Sequence, residues 1–195
     1  MPSKSSRAGR ALRWWPLFLL TTSFGCGGLP ALASSNFDRF AEDWKISGDA
    51  NPVPELVAEG GNPNGHICAT DEEEGTVWYF VAPYKGDFSR AYGRRVIYDL
   101  KQSQSFGLLK GDDVVLYGGG YELSFNVREN PGTKWTPYSV TISAEAGWQH
   151  RVSKVPATEE ELKAVLSNVT SLSIRGEYSD GPDRGCLDNV YFGTP

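Results

Sequence analysis

The sequence is poor in the residue types on which many catalytic and metal sites depend. Of its 195 residues, one is methionine, two are histidine and three are cysteine. The two histidines, His66 and His150, lie far apart, and neither an H-E-x-x-H nor a G-x-S-x-G motif is present. Because zinc proteases and α/β-hydrolases carry those motifs, the sequence argues against both enzyme classes.

A long hydrophobic run is also lacking. The most apolar stretch, residues 14–24, is interrupted by Pro16 and is shorter than the ~20 residues with which a helix crosses a bilayer. No transmembrane segment is therefore expected. The hydrophobic residues (39%) and aromatic residues (12%) nevertheless supply enough apolar surface for one folded domain, which excludes a disordered chain.

The first 33 residues have the three-part layout of a secretory signal. Residues 1–13 carry basic but no acidic residues, an apolar stretch follows, and Ala31-Leu32-Ala33 has the small-x-small pattern that signal peptidase recognises. We therefore expect residues 1–33 to be a signal peptide. Residues 34–195 would then form the secreted, extracellular domain, beginning near Ser34.

Removal of this leader makes the chain more acidic. The whole sequence has 19 Lys and Arg against 24 Asp and Glu, a net charge of −5. The leader takes with it four basic residues and no acid, which leaves 15 against 24 and a net charge of −9. Such a surface repels nucleic acid, so an extracellular glycan or protein is the expected partner.

Export also determines the chemistry of the cysteines. The mature chain keeps Cys68 and Cys186, and an even count in an oxidising compartment predicts that they form a disulfide. Two buried free thiols are the alternative. The third cysteine, Cys26, offers a lipoprotein alternative to secretion, although Ser23 stands where lipoprotein signals carry an aliphatic residue.

Alternating apolar and polar residues indicate β-strands along most of the mature chain. In residues 121–128, four apolar side chains occur at every second position and would share a core-facing side. They are Tyr121, Leu123, Phe125 and Val127. Turn-forming residues separate the other predicted strands, which are residues 66–70, 76–81, 95–100, 113–117, 138–143, 172–177 and 187–192.

One segment has the spacing of a helix instead. Thr158 and Glu161 form the pattern of a capping box. Leu162, Val165 and Leu166 follow at i, i+3 and i+4 and would form one apolar face. Because a single helix cannot supply many parallel crossovers, we predict an all-β fold, an antiparallel jelly-roll β-sandwich of about eight strands with one short helix.

Short motifs follow one another in a specific order between Phe37 and Gly193. They are Phe37-Asp38, Gly60-Gly61-Asn62-Pro63, Ala91-Tyr92-Gly93, Gly147-Trp148 and the segments 78–83, 98–102, 113–116, 130–135, 172–178 and 187–190. Together they resemble the laminin IV type A domain, also called the laminin B domain. The resemblance implies an extracellular β-sandwich, similar to carbohydrate-binding modules, that acts in adhesion and is not an enzyme. The cysteine-dense repeats that flank the animal domain are absent, so we expect a small stand-alone secreted form.

The resemblance to carbohydrate-binding jelly rolls also implies a structural Ca²⁺ held by carboxylates where the first and last strands meet. Asp38 and Asp188 are the residues that it suggests. Candidates to complete the shell are Asp71, Asp49 and Glu42. The alternative is that Asp38 and Asp188 cap turns or pair with arginines such as Arg39 and Arg175.

A glycan-binding surface would need exposed aromatic rings, on which sugar rings stack. Trp135 and Tyr84 lie beside turn residues and are the candidates for such a ligand platform. The alternative, for these rings as for Trp78, Tyr92 and Trp148, is packing in the core.

Paired acids would be needed for a third function, that of a jelly-roll glycan hydrolase. The candidate pairs are Asp112 with Asp113, Asp99 with Glu122, and members of the Glu72-Glu73-Glu74 run. The sequence favours a secreted, non-catalytic module for adhesion or extracellular interaction, with a carbohydrate-binding module as the alternative and the hydrolase in third place.

Overall fold

The computed structural model describes residues 30–71, 75–106 and 109–195. Most of the predicted signal peptide, its alternative lipidation site Cys26 and the Glu72-Glu73-Glu74 run lie outside these residues. Within them, no helix combines the length and hydrophobicity that a membrane crossing demands.

The described chain is almost entirely β-structure. Its strands are β1 (Ala33–Ser35), β2 (Lys45–Ser47), β3 (Glu55–Val57), β4 (His66–Asp71), β5 (Tyr79–Val81), β6 (Arg95–Gln102), β7 (Val114–Gly118), β8 (Tyr121–Phe125), β9 (Thr136–Thr141), β10 (Gln149–His150), β11 (Val169–Arg175) and β12 (Asp183–Thr194). One α-helix, α1 (Glu159–Ser167), and two short 3₁₀ helices, Ser89–Ala91 and Ala144–Ala146, complete the described elements.

The strands form two antiparallel sheets. The first, here called the β12 sheet, has the order β3-β4-β12-β6-β9, and β1 also pairs with β12. The second, called the β11 sheet, has the order β10-β8-β7-β11-β5-β2. The predicted antiparallel sandwich with one short helix is therefore confirmed. The strand number exceeds the prediction because several edge strands have only two or three residues, too few to show an alternating pattern.

A hydrophobic core fills the space between the sheets. From the β12 sheet it receives Val96, Tyr98, Leu100, Leu187, Val190 and Phe192, and from the β11 sheet Val114, Leu116, Leu123, Leu172 and Ile174. The prediction for residues 121–128 is wrong at its ends. The strand stops at Phe125, and Tyr121 is 36% exposed, because it lies beside the turn that joins β7 to β8.

The helix begins and ends as its sequence predicts. The Thr158 hydroxyl accepts a hydrogen bond from the Glu161 amide (3.2 Å), and the Glu161 carboxylate accepts one from the Thr158 amide (2.9 Å). This reciprocal pair satisfies two amide groups that the first helical turn leaves open. Leu162, Val165 and Leu166 are buried and fix the helix against the sandwich.

The predicted disulfide is present and links the two neighbouring strands β4 and β12. Cys68 lies directly opposite Cys186 in the antiparallel register, and the bridge closes a separation of 118 residues. In the chain-entropy description, a loop of this length lowers the entropy of the unfolded chain and stabilises the fold by roughly 4–5 kcal/mol.

Strand β1 lies at the predicted cleavage site. The Leu32 amide donates to the Phe192 carbonyl (2.9 Å), and Ala33 is paired with Phe192 of β12. A cut after Ala33 would leave β1 with Ser34 and Ser35 alone.

A tight contact between Gly176 and Trp78 offers a test of the core. A methyl group added to Gly176 would lie 1.8 Å from a ring carbon of Trp78, which is fully buried. We therefore expect Gly176→Ala to lower the free energy of unfolding by about 1–3 kcal/mol through overpacking. Gly132→Ala is the matched control because nothing lies within 4 Å of its added carbon. Urea unfolding of both variants measures the effect, and equal midpoints would contradict this packing.

Candidate functional site

The structure separates the residues that were expected to bind Ca²⁺ into two groups. Asp38 and Asp99 lie near Asp188, since the negative charges of both act on it. Asp71 and Asp49 lie in a different group, described below. Asp71 is opposite the first residue of β12, five residues before Asp188, and five strand residues span roughly 16 Å.

The carboxylates of Asp188 and Asp99 accept hydrogen bonds from amide groups. Fully buried Asp188 accepts hydrogen bonds from the backbone amides of Asn62 (2.6 Å) and Asn189 (2.7 Å). Asp99 accepts from the side-chain amides of the same two asparagines (3.1 and 2.9 Å). Burial raises the pKa of Asp188 to about 6, and the charges of Asp99 and Asp38 add to the effect. Asp188 thus anchors the β3–β4 loop, which fits the expected turn-capping alternative better than a cation site.

Of the arginines named in that alternative, Arg39 forms no ion pair with a described carboxylate, and Arg175 lies beside a different acid. Arg175 is buried, and its guanidinium lies 3.7 Å from the Asp113 carboxylate and over the ring of Tyr178. Asp38 is exposed and accepts from the Asn36 side-chain amide (2.9 Å). Glu42 accepts from the backbone amides of Asn36 and Phe37, so it holds the turn after β1.

The second group is a set of acids that we call the acid cluster: Asp49, Asp71, Glu177 and Asp183. One carboxylate oxygen from each of the first three lies within 4.8 Å of the other two. Asp183 begins β12 directly opposite Asp71 at the end of β4, so the two side chains share one face. Asp49 comes from the β2–β3 turn and Glu177 from the segment after β11.

The acid cluster is largely withdrawn from solvent. Asp71 and Glu177 are each 1% exposed and Asp183 is 4% exposed. Burial raises the pKa of Glu177 to about 7, and the negative charges of Asp183, Asp49 and Asp71 raise it further. Burial is likewise the first cause that raises the pKa of Asp183 to about 6. Both shifts reflect the cost of keeping several buried carboxylates ionised next to one another.

Two adjoining depressions lie along the β12 sheet, one on the outer face that is turned away from the core and one at the end where Asp71 meets the β2–β3 turn. One has a volume of about 330 Å³ and is lined by residues that include His66, Lys101, Arg184 and the disulfide. We call it the outer groove. The other has a volume of about 440 Å³ and is lined by Glu55, Thr70 and Arg184 together with Asp49 and Asp71 of the acid cluster.

Arg184 lies between the two depressions and is held by the two strands on one side of β12, β4 and β3. Its guanidinium donates to the Glu55 carboxylate on β3 (2.6 Å) and to the Thr70 hydroxyl on β4 (2.9 Å). Its backbone amide donates to the Ser103 hydroxyl (2.9 Å). These contacts fix the charge on a rigid strand, where its position is defined more closely than on a loop.

Trp135 borders the outer groove and contacts three of the residues that line it. Its indole N–H donates to the Gly60 carbonyl (2.9 Å), its ring meets His66 edge-on at 5.1 Å, and the Lys101 ammonium lies 4.6 Å from its centroid. The ring is half-buried. Trp135 therefore lies on a candidate binding surface, but its indole N–H is already hydrogen-bonded and its ring already contacts the Lys101 ammonium.

The other predicted platform residue, Tyr84, is in the wrong place for ligand binding. It is buried among core aromatics, stacked with Phe192 and edge-on to Trp44. Its hydroxyl is hydrogen-bonded to the Ser35 hydroxyl (2.7 Å). Proximity to turn residues suggested exposure, but β1 covers the ring.

Sequence spacing alone missed a possible ligand set on the outer face. His66 and Cys68 alternate on β4, and one ligand atom from each lies within 4.8 Å of the other and of Cys186. Because the two sulfurs are joined in the disulfide, neither is a thiolate that could bind a metal.

The acids considered for glycan hydrolysis do not face one another. Asp99 lies on the β12 sheet and Glu122 on the β11 sheet. Asp112 binds the Lys154 ammonium (2.7 Å), and Asp113 accepts from the Val127 amide (2.8 Å). These described pairs therefore lack the arrangement of a glycosidase acid pair.

Burial of His66 predicts a measurable pH effect. Desolvation, assisted by the charges of Lys101 and Arg184, lowers the pKa of His66 to about 4 from 6.5. Between these values the unfolded chain binds a proton that the folded chain does not, so the contribution of neutral His66 to stability is complete above pH 6.5 and lost as the pH falls towards 4.

We therefore expect the stability of the natural protein relative to His66→Gln to fall by about 2 kcal/mol between pH 7 and pH 4.5. Urea unfolding of both proteins at each pH measures this difference. The pH-dependent contributions of the acids are the same in both proteins and cancel from it. A difference that does not change with pH would show that His66 is protonated equally in both states.

Comparison with known proteins places this arrangement in a family. The chain is 27% identical over 170 residues to laminin-like protein lam-2 of Caenorhabditis elegans. The matched region covers 83% of this chain and 10% of that protein. It is 27% identical over 142 residues to human laminin subunit alpha-3, covering 66% of this chain and 4% of that one. The chain thus spans a tenth or less of these relatives.

Solved structures share the sandwich at low sequence identity. The L4b domain of human laminin alpha-2 matches with a TM-score of 0.65 and 12% identity, covering 87% of this chain and 100% of that domain. A family 11 carbohydrate-binding module from Clostridium thermocellum, in complex with a mixed-linked tetrasaccharide, matches with a TM-score of 0.55 and 14% identity over 81% and 92% of the two chains.

The sequence model of the laminin B (domain IV) family matches residues 77–194, from the segment before β5 to the end of β12. The resemblance found in the sequence is confirmed, and this chain belongs to the laminin B (domain IV) family.

Proposed function

We propose that this protein is an exported, non-catalytic interaction module that binds an extracellular protein through the outer groove of the β12 sheet. Its membership of a family whose members include laminin subunits supports a role in adhesion. The observation that carries the proposal is the composition of the outer groove, which is lined by Lys101 and Arg184 and bordered by half-buried Trp135, whose ring contacts Lys101.

The charge of this surface favours a partner with acidic groups. Residues 34–195 have a net charge of −9, yet the outer groove is lined by two cationic side chains, one of them paired with Glu55, and by a single acid, Glu59. Arginine and tryptophan are also the residues that most often contribute large shares of protein-binding energy. Acidic side chains of a partner protein can therefore pair with Lys101 and Arg184 while an apolar group contacts the Trp135 ring.

Carbohydrate binding is the second candidate, supported by the shared fold with a tetrasaccharide-bound module and by the position of Trp135. Aromatic surface is limited, however, because Tyr84 is buried. On the outer face of the β11 sheet, the Arg151 guanidinium lies over both Tyr79 and Tyr117, at 5.6 and 5.8 Å from the ring centroids. The cationic side chains of the outer groove therefore support protein binding more strongly.

Binding of the exported protein to panels of extracellular matrix proteins and glycans tests the proposal. We expect a protein ligand whose affinity falls about tenfold or more in the double variant Lys101→Gln/Arg184→Gln, because truncation of anchoring contacts has effects of this size. The control is Lys45→Gln/Lys85→Gln, which removes two exposed cations from outside the outer groove.

Equal affinities of the two double variants would contradict the assignment of the outer groove. Binding of a glycan that is lost in Trp135→Ala but retained in Lys101→Gln/Arg184→Gln would instead establish the carbohydrate-binding function. Thermal unfolding of each variant verifies that the fold is intact.

A further inference from the structure

Three members of the acid cluster have no cationic partner among the described residues. Among the described residues, no lysine, arginine or histidine nitrogen lies within 4.0 Å of the carboxylates of Asp49, Glu177 or Asp183. Buried carboxylates are ordinarily paired with a cation or bound to a metal ion. This arrangement differs from that of buried Asp113, which lies beside the Arg175 guanidinium.

Several oxygens in this cluster also lack hydrogen-bond donors. Both carboxylate oxygens of Asp49 and both of Asp183 are inaccessible to solvent, and none of the four lies in hydrogen-bonding geometry with a described donor. The backbone amides of Tyr178 and Ser179 and the Trp78 indole nevertheless act on Asp183 and lower its pKa against the effect of burial. Asp183 is 96% buried, since 4% of its surface is exposed, and it lies on the same face as Asp71. By contrast, the oxygens of Asp188 are engaged by two backbone amides.

The absence of a side chain at Gly75 leaves space for the Asp49 carboxylate. A methyl group added to Gly75 would lie 2.1 Å from an Asp49 carboxylate oxygen, so only glycine admits the Asp49 side chain at its observed position. Asp49 and Asp71 also line the depression of about 440 Å³ beside Arg184. The cluster is thus in contact with a depression through which a small ion can enter.

From this geometry we propose that Asp49, Asp71 and Glu177, assisted by Asp183, bind one Ca²⁺ ion. The ligands are hard carboxylate oxygens, which Ca²⁺ prefers, and they come from four separate segments of the chain. Such a flexible, all-oxygen set suits the six to eight ligands and variable geometry of Ca²⁺ better than the strict octahedron of Mg²⁺. Zinc is disfavoured because its structural sites are built from cysteine and histidine.

The position of the ion explains what it would do for the fold. Asp71 and Asp183 end β4 and begin β12 in one sheet, whereas Glu177 follows β11 of the other and Asp49 belongs to the β2–β3 turn. One ion would therefore join the two sheets at this end of the sandwich. Its removal would leave the carboxylates to repel one another and loosen that end.

Calorimetric titration of the EDTA-treated, exported protein with CaCl₂ tests the site. We expect one Ca²⁺ per chain, with a dissociation constant at or below the roughly 10⁻⁴–10⁻³ M that is typical of extracellular modules. Saturation should raise the melting temperature, because the ion binds the folded chain alone. Mg²⁺ at the same concentration should reproduce neither effect.

Asp49→Asn and Glu177→Gln should each abolish the calcium-dependent rise in melting temperature. Both variants keep the shape of the side chain and remove a repelling charge, so their calcium-free forms should melt no lower than the calcium-free natural protein. This second comparison separates loss of the ion from failure to fold. Asp38→Asn is the matched control, since it removes an exposed acid of the other group and should leave Ca²⁺ binding unchanged.

Absence of Ca²⁺ binding at millimolar concentrations would overturn the proposal. So would binding that survives both Asp49→Asn and Glu177→Gln but is lost in Asp38→Asn, because the ion would then belong to the group around Asp188.

Discussion

The alternation of side chains along β12 is the constraint on which both polar sites of the molecule depend. Successive residues of a strand point to opposite faces, so Arg184 and Cys186 lie on the outer face while Asp183 and Leu187 lie on the inner one. A slip of one residue against β4 would exchange the two sets. The disulfide between Cys186 and Cys68 admits one register, and it therefore holds the outer groove and the acid cluster in place together.

The acid cluster continues the inner face of the β12 sheet beyond the apolar core. Leu187 and Ile67 pack between the sheets, and four residues earlier on β12 the same face presents Asp183 opposite Asp71. Burial raises the pKa of Asp183 and of Glu177 at this end of the sandwich, because desolvation opposes their ionised forms. The proposed Ca²⁺ would offset the repulsion between these carboxylates, and the outer groove would remain available to the proposed partner.

Much of the fold could be predicted because its signals are local. The capping box of Thr158 and Glu161 follows from residues three positions apart, and the disulfide follows from the even number of cysteines that remains once the predicted signal peptide is removed. The sites could not be predicted in this way. Asp49 and Glu177 meet only after the sheets have packed, and burial of Tyr84 depends on β1, a strand of three residues. The same limit explains why Asp71 was grouped with Asp188 from the resemblance, although the register of β12 holds them apart.

The most direct measurement is anomalous X-ray diffraction from crystals of the exported protein grown with CaCl₂, because it locates an ion without reference to its effect on stability. This account predicts one anomalous peak between the carboxylates of Asp49, Asp71 and Glu177, with Asp183 at its edge. A peak beside Asp188 and Asp38, or ordered carboxylates around an empty centre, would contradict it.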